Sequence, residues 1–455
     1  MAQILKDTDL KEILENIRYL IKSEQTNFTL PVIANLHPSD IAEIFAHLDE
    51  EERKAIFNLL PSEQASEVLV ELEKNAKEDV LEEMDSRQIA EMVNEMDSDD
   101  AADIIAELPD KKASEILEQV EDESSEEIQE LLTYKEDSAG RIMAKEFVSV
   151  RADSTVQMAI EAIRKKHEEI ENIYYCFVTD DFGILLGSIS LRSLILAEAT
   201  SKVRSIMDEQ IMSIDSEMDQ EEVAKIFKKY NLVVAPVVNK QNKLLGRITV
   251  DDVVDVIDEE IEEDLGIIAG TGEEEVLENS IVQISRSRLP WLVLSFIGQI
   301  IAALIMKHFQ GTIQQIIAST FFIPMVMAMG GSVGQQSSII VVRGLVTGEI
   351  GFGDTPHRLR RELMVSLLNS TVLAILIFTI IVIWDGDYAF GVLLAISLIV
   401  IIINASLFGA IIPILFKKAN VDPALATGPF VAAFNDVVGL LIYFSLLTIG
   451  FKFII

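Results

Sequence analysis

A single cysteine, Cys176, among 455 residues excludes a disulfide framework and any thiolate metal cluster. It lies in the strand-like run IYYCFVTD, where a core position is expected. The five histidines (His37, His47, His167, His308 and His357) are scattered, and neither an HExxH nor a GxSxG arrangement occurs. Metallohydrolase and serine-hydrolase chemistry therefore lack a carrier, and no enzyme is expected. Positive charge is scarce as well, with 37 Lys and Arg against 74 Asp and Glu, a net charge of −37. Such a balance repels phosphate and excludes nucleic acid as a natural partner, whereas divalent cations suit it. The opening residues MAQILKDTDLKEIL lack the apolar core of a signal peptide, so the N-terminal part is expected in the cytoplasm.

This acidity coexists with a positive mean hydropathy of +0.31, which one ordinary globular domain does not combine. Division near residue 285 resolves the conflict. From Arg286 onward there are 10 basic and 7 acidic residues, leaving 27 basic and 67 acidic before it, a net of −40. An acidic soluble half thus precedes a nearly neutral membrane half. The expected organisation is a superhelical all-α domain (1–135), an α/β pair (136–258), an acidic hinge with a connecting helix (259–288) and an all-α five-span membrane domain (289–455).

An internal repeat paces the first domain. Apolar anchors fall at Leu36, Leu48, Leu60, Leu72, Met84, Met96, Leu108 and Val120, twelve residues apart. Units such as LPSEQASEVLVEL and MDSDDAADIIAEL open with a Ser or Asp cap, often followed by an acid or Gln at capping-box distance. About two helical turns follow, too short to bury an apolar stripe alone, so the units must stack. A docking or regulatory role fits such a stack.

The second repeat is of another kind. IYYCFVTDDFGILLGSISLRSLI parallels LVVAPVVNKQNKLLGRITVDDVV as strand, turn, strand and helix, each after an IM pair and an amphipathic helix. It resembles a tandem pair of cystathionine-β-synthase (CBS) domains, which commonly regulate an attached protein and often bind adenine nucleotides such as ATP. The family's Gly-x-x-Thr-x-x-Asp turn, which holds the ribose, is matched by Gly246, Thr249 and Asp252. The first copy has Gly187, Ser190 and Ser193 instead, without the acid.

Five apolar segments exceed the ~20 residues needed to cross a bilayer, at about 289–308, 313–336, 363–384, 389–416 and 424–450. Arg286, Arg288, Arg343, Arg358, Arg360, Arg361, Lys417 and Lys418 flank alternate ends, while WDGDY carries only acids. Positive-inside logic gives a cytoplasmic N-terminus and an extracytoplasmic C-terminus, and a plasma (inner) membrane is the expected location. Five helices are few for a pathway, which favours a homodimer. The second span is read as ending MAMGGSVGQQSS, where Gly330, Gly331 and Gly334 either loosen the helix around a watery cavity or permit close packing. The fifth is read as starting near Ala424, broken by Pro423 and Pro429.

One carboxylate, Asp436, falls roughly mid-span on that reading, with no Lys or Arg in the apolar parts of the spans to pair with it; Lys307, on the wrong side of the charge count, lies at a helix end from which it can snorkel. A mid-span carboxylate is expensive and usually functional. It can ligate an ion, relay a proton or make a structural polar contact. As an ion ligand, one Asp per subunit doubled by a two-fold axis matches a divalent cation, and magnesium is held by one or two carboxylates with waters retained.

These features together resemble the MgtE family of magnesium transporters. The likeness is sharpest at Gly331-Ser332-Val333-Gly334-Gln335-Gln336 with Val342-Arg343-Gly344, and at Asp422-Pro423-Ala424-Leu425 leading to Asp436-Val437-Val438-Gly439. It implies a homodimeric magnesium channel with its pore on the dimer axis, Asp436 as selectivity carboxylate, and Gly331, Ser332 and the backbone near Val421 beside it. The family usually has Asn where this chain has Ser332. A sodium- or proton-coupled carrier remains an alternative, as does, in another class, a CBS-regulated nucleotide receptor without ion flux.

The hinge VDDVVDVIDEEIEEDLGI, read as a helix, sets Asp252, Asp255, Glu259 and Glu263 on one face, with Glu260 and Asp264 beside them. A solvated charge run and a cation-operated gate both fit. The resemblance implies the gate, with Asp252, Asp255, Glu260, Glu263 and Asp264, joined by Asp99 and Asp100, as regulatory magnesium ligands. An amphipathic helix from Glu273 is expected to lead from the hinge into the first span.

Overall fold

In a computed structural model of the chain, the described residues are 7–23, 29–33, 36–167, 170, 172–271, 280–347, 350, 355–419 and 421–454. They form two compact units, Met1–Glu260 and Ile261–Ile455.

The twelve-residue period of the sequence is the period of the fold. After a first helix, Asp7–Lys22, new helices begin at Pro38, Glu50, Ser62, Lys74, Ser86, Ser98, Asp110 and Asp122, each twelve residues after the last. Helices of eight to ten residues are marginal in isolation and gain stability through tertiary contact. Alternate helices pack together, Pro38–Ala46 on Ser62–Glu71 and Ser98–Glu107 on Asp122–Leu131 among them. Their apolar faces meet in one core containing Ile41, Phe45, Leu69, Ile89, Ile104 and Ile105. The capping expectation holds in part. Asp49 with Glu52 and Asp85 with Gln88 form reciprocal capping boxes. Asp97 makes no such cap, because its carboxylate accepts from Arg247 at 3.3 Å instead.

The two CBS copies repeat down to a register defect. Strand β1 (Ser149–Arg151) runs parallel to β2 (Tyr175–Thr179), which pairs antiparallel with β3 (Leu185–Ser190). Strands β4 (Ile214–Asp215), β5 (Val234–Val238) and β6 (Leu244–Thr249) repeat this order. The register shifts between Val178 and Thr179 in the first copy and between Val237 and Val238 in the second. Cys176 is fully buried in β2, as a core residue should be.

The C-terminal unit holds five helices long and apolar enough to span a membrane: Ile281–His308, Ser319–Val346, Thr355–Trp384, Tyr388–Lys418 and Gly428–Ile454. Two bounds correct the sequence reading. A separate short helix, Gln310–Gln315, precedes the second span, which then runs to Val346. The glycine cluster therefore falls mid-helix, and the helix is continuous through it. Burial of Ser337, Ser338, Val341 and Val342 explains the extension, since this face packs inward. The fifth span starts at Gly428 after a 3-10 turn, Pro423–Ala426, so Asp436 is its ninth residue. It sits about 12 Å along the helix rather than at its midpoint. The expected helix from Glu273 lies largely outside the described residues, although Ile281 to Arg288 are continuous with the first span.

Replacing Ile104, which is 1% exposed, with Ala should cost about 2–5 kcal/mol of stability in the repeat domain. A thermal melt of the purified protein checks this, the expected outcome being a lower midpoint with unchanged helical content.

Candidate functional site

The first and fifth spans cross closely because Gly298 carries no side chain; a Cβ there would lie 2.9 Å from Ala433 Cβ. That approach brings Gln299 to Asp436, whose Oδ2 accepts from Gln299 Nε2 at 2.6 Å. Among the described residues no cation pairs with Asp436, and its hydrogen-bond partner is neutral. Gln299 is uncharged, so it gives no ion-pair signal in the sequence. A polar residue amid SFIGQIIAAL was the available signal.

Next to Asp436, Asn435 is buried with an unpartnered Nδ2 held against Gly334. A Cβ on Gly409 of the fourth span would collide with the Gly334 carbonyl. Gly334 thus serves close packing, the second of the two readings of the glycine cluster. Gly331 differs, since nothing lies within 4 Å of where its Cβ would be. Ser332 beside it is exposed, so this part of the second span faces open space. Val421 is exposed in the turn before the fifth span, where Asp422 caps the 3-10 segment by accepting from the Ala424 amide at 2.8 Å.

The start of the fifth span abuts the end of the acidic helix Val250–Ala269. Gly428 has φ +45°, and a Cβ there would lie 2.5 Å from the Ile268 carbonyl oxygen. Gly270, at φ +74°, packs likewise beneath Pro429. A displacement of this helix end therefore bears on the helix carrying Asp436.

Earlier in the same helix, the carboxylates of the second CBS copy meet those of the repeat stack. Asp252 Oδ2 accepts from both the Thr249 amide, at 2.8 Å, and its hydroxyl, at 2.7 Å. Burial pushes Asp252 up to about 6. Burial and then the charges of Asp97 and Asp252 push Asp100 up to about 8. Asp99 is raised well above its ordinary value by burial and then by Asp252, and its Oδ1 is buried without a hydrogen-bond partner. Glu259 is pushed up to about 7 by burial and then by Asp103 and Asp255. Asp255 and Glu260 are raised too, chiefly by burial, although Gln220 donates to Glu260 at 3.0 Å. Glu263 and Asp264 are half-buried further along the helix, within the second compact unit. No three His, Cys, Asp or Glu among the described residues converge as a ready metal cage.

Asp97, Asp103, Glu146 and Glu259 complete this neighbourhood and were not singled out as ligands from sequence. Glu146 accepts from the Ser98 amide at 3.2 Å and its hydroxyl at 2.9 Å, and Arg141 binds Asp103 at 2.6 Å. Gly246 has a packing role, since a Cβ there would lie 2.6 Å from the Ala144 carbonyl oxygen.

Three family models match the chain: the divalent cation transporter MgtE at 323–446, the MgtE intracellular N domain at 36–137, and CBS domains at 139–199 and 203–259. The magnesium transporter MgtE of Bacillus subtilis is 36% identical over 320 residues, 70% of this chain and 71% of that protein. The chain belongs to the MgtE family. The Thermus thermophilus MgtE is 34% identical over 319 residues, again 70% of this chain and 71% of that one. Among solved structures, the soluble part of a magnesium transporter shares 32% identity at a TM-score of 0.50, covering 55% of this chain and 99% of its own. The cytosolic domain of the Mg2+ channel MgtE in complex with ATP shares 31% at 0.51, covering 53% and 99%. As an MgtE-family chain this is a multi-pass membrane protein of a transporter family, not an enzyme.

Carboxylates whose pKa is raised on folding favour the protonated folded state, so their contribution to stability is lost as pH rises through about 6 to 8. The melting midpoint of magnesium-free protein should therefore fall between pH 6 and pH 8. In Asp100→Asn it should fall less, leaving the variant about 2–4 °C more stable than the parent at pH 8. Differential scanning calorimetry in chelator checks this, and equal slopes for the two proteins would count against mutual repulsion.

Proposed function

We propose that the chain carries magnesium across the plasma membrane as a homodimeric channel closed by cytosolic magnesium. The observation that supports this most is Asp436, an acid in a membrane-spanning helix whose hydrogen-bond partner is the neutral Gln299. Leaving a carboxylate without a cation inside a protein is costly, and a mobile cation relieves that cost. Two copies related by a dimer axis provide two negative charges, matching one divalent ion that keeps part of its water shell. Gly331 and Ser332, on the open part of the second span, and the backbone at Val421 would meet that shell.

The acidic neighbourhood of the soluble part supplies the sensor. The orphaned Asp99 Oδ1 fits a regulatory cation, and Asp100, Asp252, Asp255 and Glu260 extend the site, with Glu263 and Asp264 further along the helix. When bound, magnesium supplies the positive charge that this neighbourhood lacks. Asp99, Asp100 and Asp252 then stay close; without neutralisation they repel one another. The end of the Val250–Ala269 helix, seated against Gly428 and Pro429, passes that strain to the fifth span. Moving a gate from mostly closed to mostly open requires about 5.5 kcal/mol of differential binding, which several weak sites can supply together. An adenine nucleotide would be held in the second CBS copy at Gly246, Thr249 and Asp252, by analogy with the relative solved with ATP. Cytoplasmic placement of the N-terminus follows from Arg343, Arg358, Arg360 and Arg361 between the second and third spans.

Magnesium flux into proteoliposomes tests the pathway. Sodium-independent flux in the intact protein, abolished by Asp436→Ala, is expected. Flux that requires a sodium gradient would favour a coupled carrier, and normal flux in a folded Asp436→Ala protein would remove Asp436 from the pathway.

A further inference from the structure

Where the second span ends and the third begins, a cavity of about 520 Å³ opens between them. Ile340, Arg343 and Gly344 line it from one helix, His357, Arg358 and Arg361 from the other, and Ile350 from the stretch between them. The neighbouring carboxylate, Glu362, is already engaged. Glu362 receives Arg358 Nη2 on Oε1 at 2.6 Å, while its Oε2 accepts from Ser337 at 2.9 Å and Ser406 at 3.4 Å. Arg358 keeps a buried Nε without a partner, and neither Arg343 nor Arg361 has a carboxylate partner among the described residues. Glu349 and Asp354, in the connecting stretch, lie outside the described residues.

The placement of these cations runs against helix electrostatics. Arg358, Arg360 and Arg361 occupy the first two turns of Thr355–Trp384, the positive end of its dipole, where anions are favoured. An anion in the cavity would reverse that penalty. Apolar side chains adjoin it on both helices, with Ile339, Ile340, Leu363 and Met364 all exposed. A free phosphate has no use for that apolar flank, whereas a lipid would lay its acyl chains along it. Guanidinium groups pair bidentately with phosphate oxygens, and basic pockets between membrane helices suit anionic headgroups. We propose that this cavity binds the headgroup phosphate of an anionic phospholipid through Arg343, Arg358 and Arg361, with the acyl chains along Ile340 and Met364.

The test uses the purified full-length protein in detergent, titrated with phosphatidylglycerol, phosphatidylcholine or inorganic phosphate. Bound lipid is counted by native mass spectrometry, and folding is checked by circular dichroism. The intact protein should prefer phosphatidylglycerol, with the preference weakening at high salt. Arg343→Gln combined with Arg361→Gln should reduce the preference about thirtyfold, on a scale of about fivefold per cation. The double Lys variant should retain most of it, and Arg360→Gln, outside the cavity, should leave it unchanged. An unaltered preference in the folded double Gln variant would overturn the proposal. So would full displacement of the lipid by inorganic phosphate, which would assign the cavity to a free anion. If the double Gln variant does not fold, the intact protein decides, because equal retention of the two lipids also overturns the assignment.

Discussion

Asp99, Asp100 and Asp252 are held out of water within reach of one another's charge, with Lys77 opposing Asp100 and Arg247 opposing Asp252. Burial is the largest influence on each, and mutual repulsion adds to it. A folded chain keeps such an arrangement only if other contacts over-determine it. Here the twelve-residue stack and the second CBS copy do so, through Asp97 on Arg247, Asp103 on Arg141 and Ser98 on Glu146. The soluble part is thus assembled around a charge imbalance that protons or divalent cations can reduce.

The membrane part presents the same constraint in a second form. Asp436 is fixed by Gln299, a donor that orients the carboxylate without cancelling its charge. Close packing makes this possible: Gly298 admits the backbone of the fifth span, and Gly334 admits Asn435 and the fourth span. The contacts of Gly428 with Ile268 and of Gly270 with Pro429 then place the end of the acidic helix at the foot of the Asp436 helix. Within the C-terminal unit, the end of the acidic helix and the start of the Asp436 helix meet at two glycines.

Much of this was legible in the sequence, for identifiable reasons. The twelve-residue beat set every helix start from Pro38 to Asp122, because short helices of equal length must stack in step. The duplicated strand–turn–strand pattern carried both CBS sheets, and hydropathy carried five spans. What escaped depends on tertiary packing. Apolar composition alone did not locate the end of the second span, since Ser337 and Ser338 are polar yet buried. Gln299 was overlooked as the partner of Asp436 because their contact joins residues 137 positions apart. The cap expected from Asp97 failed because a buried arginine from another domain claimed its carboxylate.

The most direct measurement is the dependence of magnesium flux on magnesium at the cytoplasmic face, for the intact protein and for Asp99→Asn with Asp100→Asn. Charge-coupled gating predicts steep inhibition in the intact protein and a much smaller ratio of open to inhibited flux in the variant. Equally steep inhibition in both, with Asp436 intact, would contradict the link between the buried carboxylates and the pore.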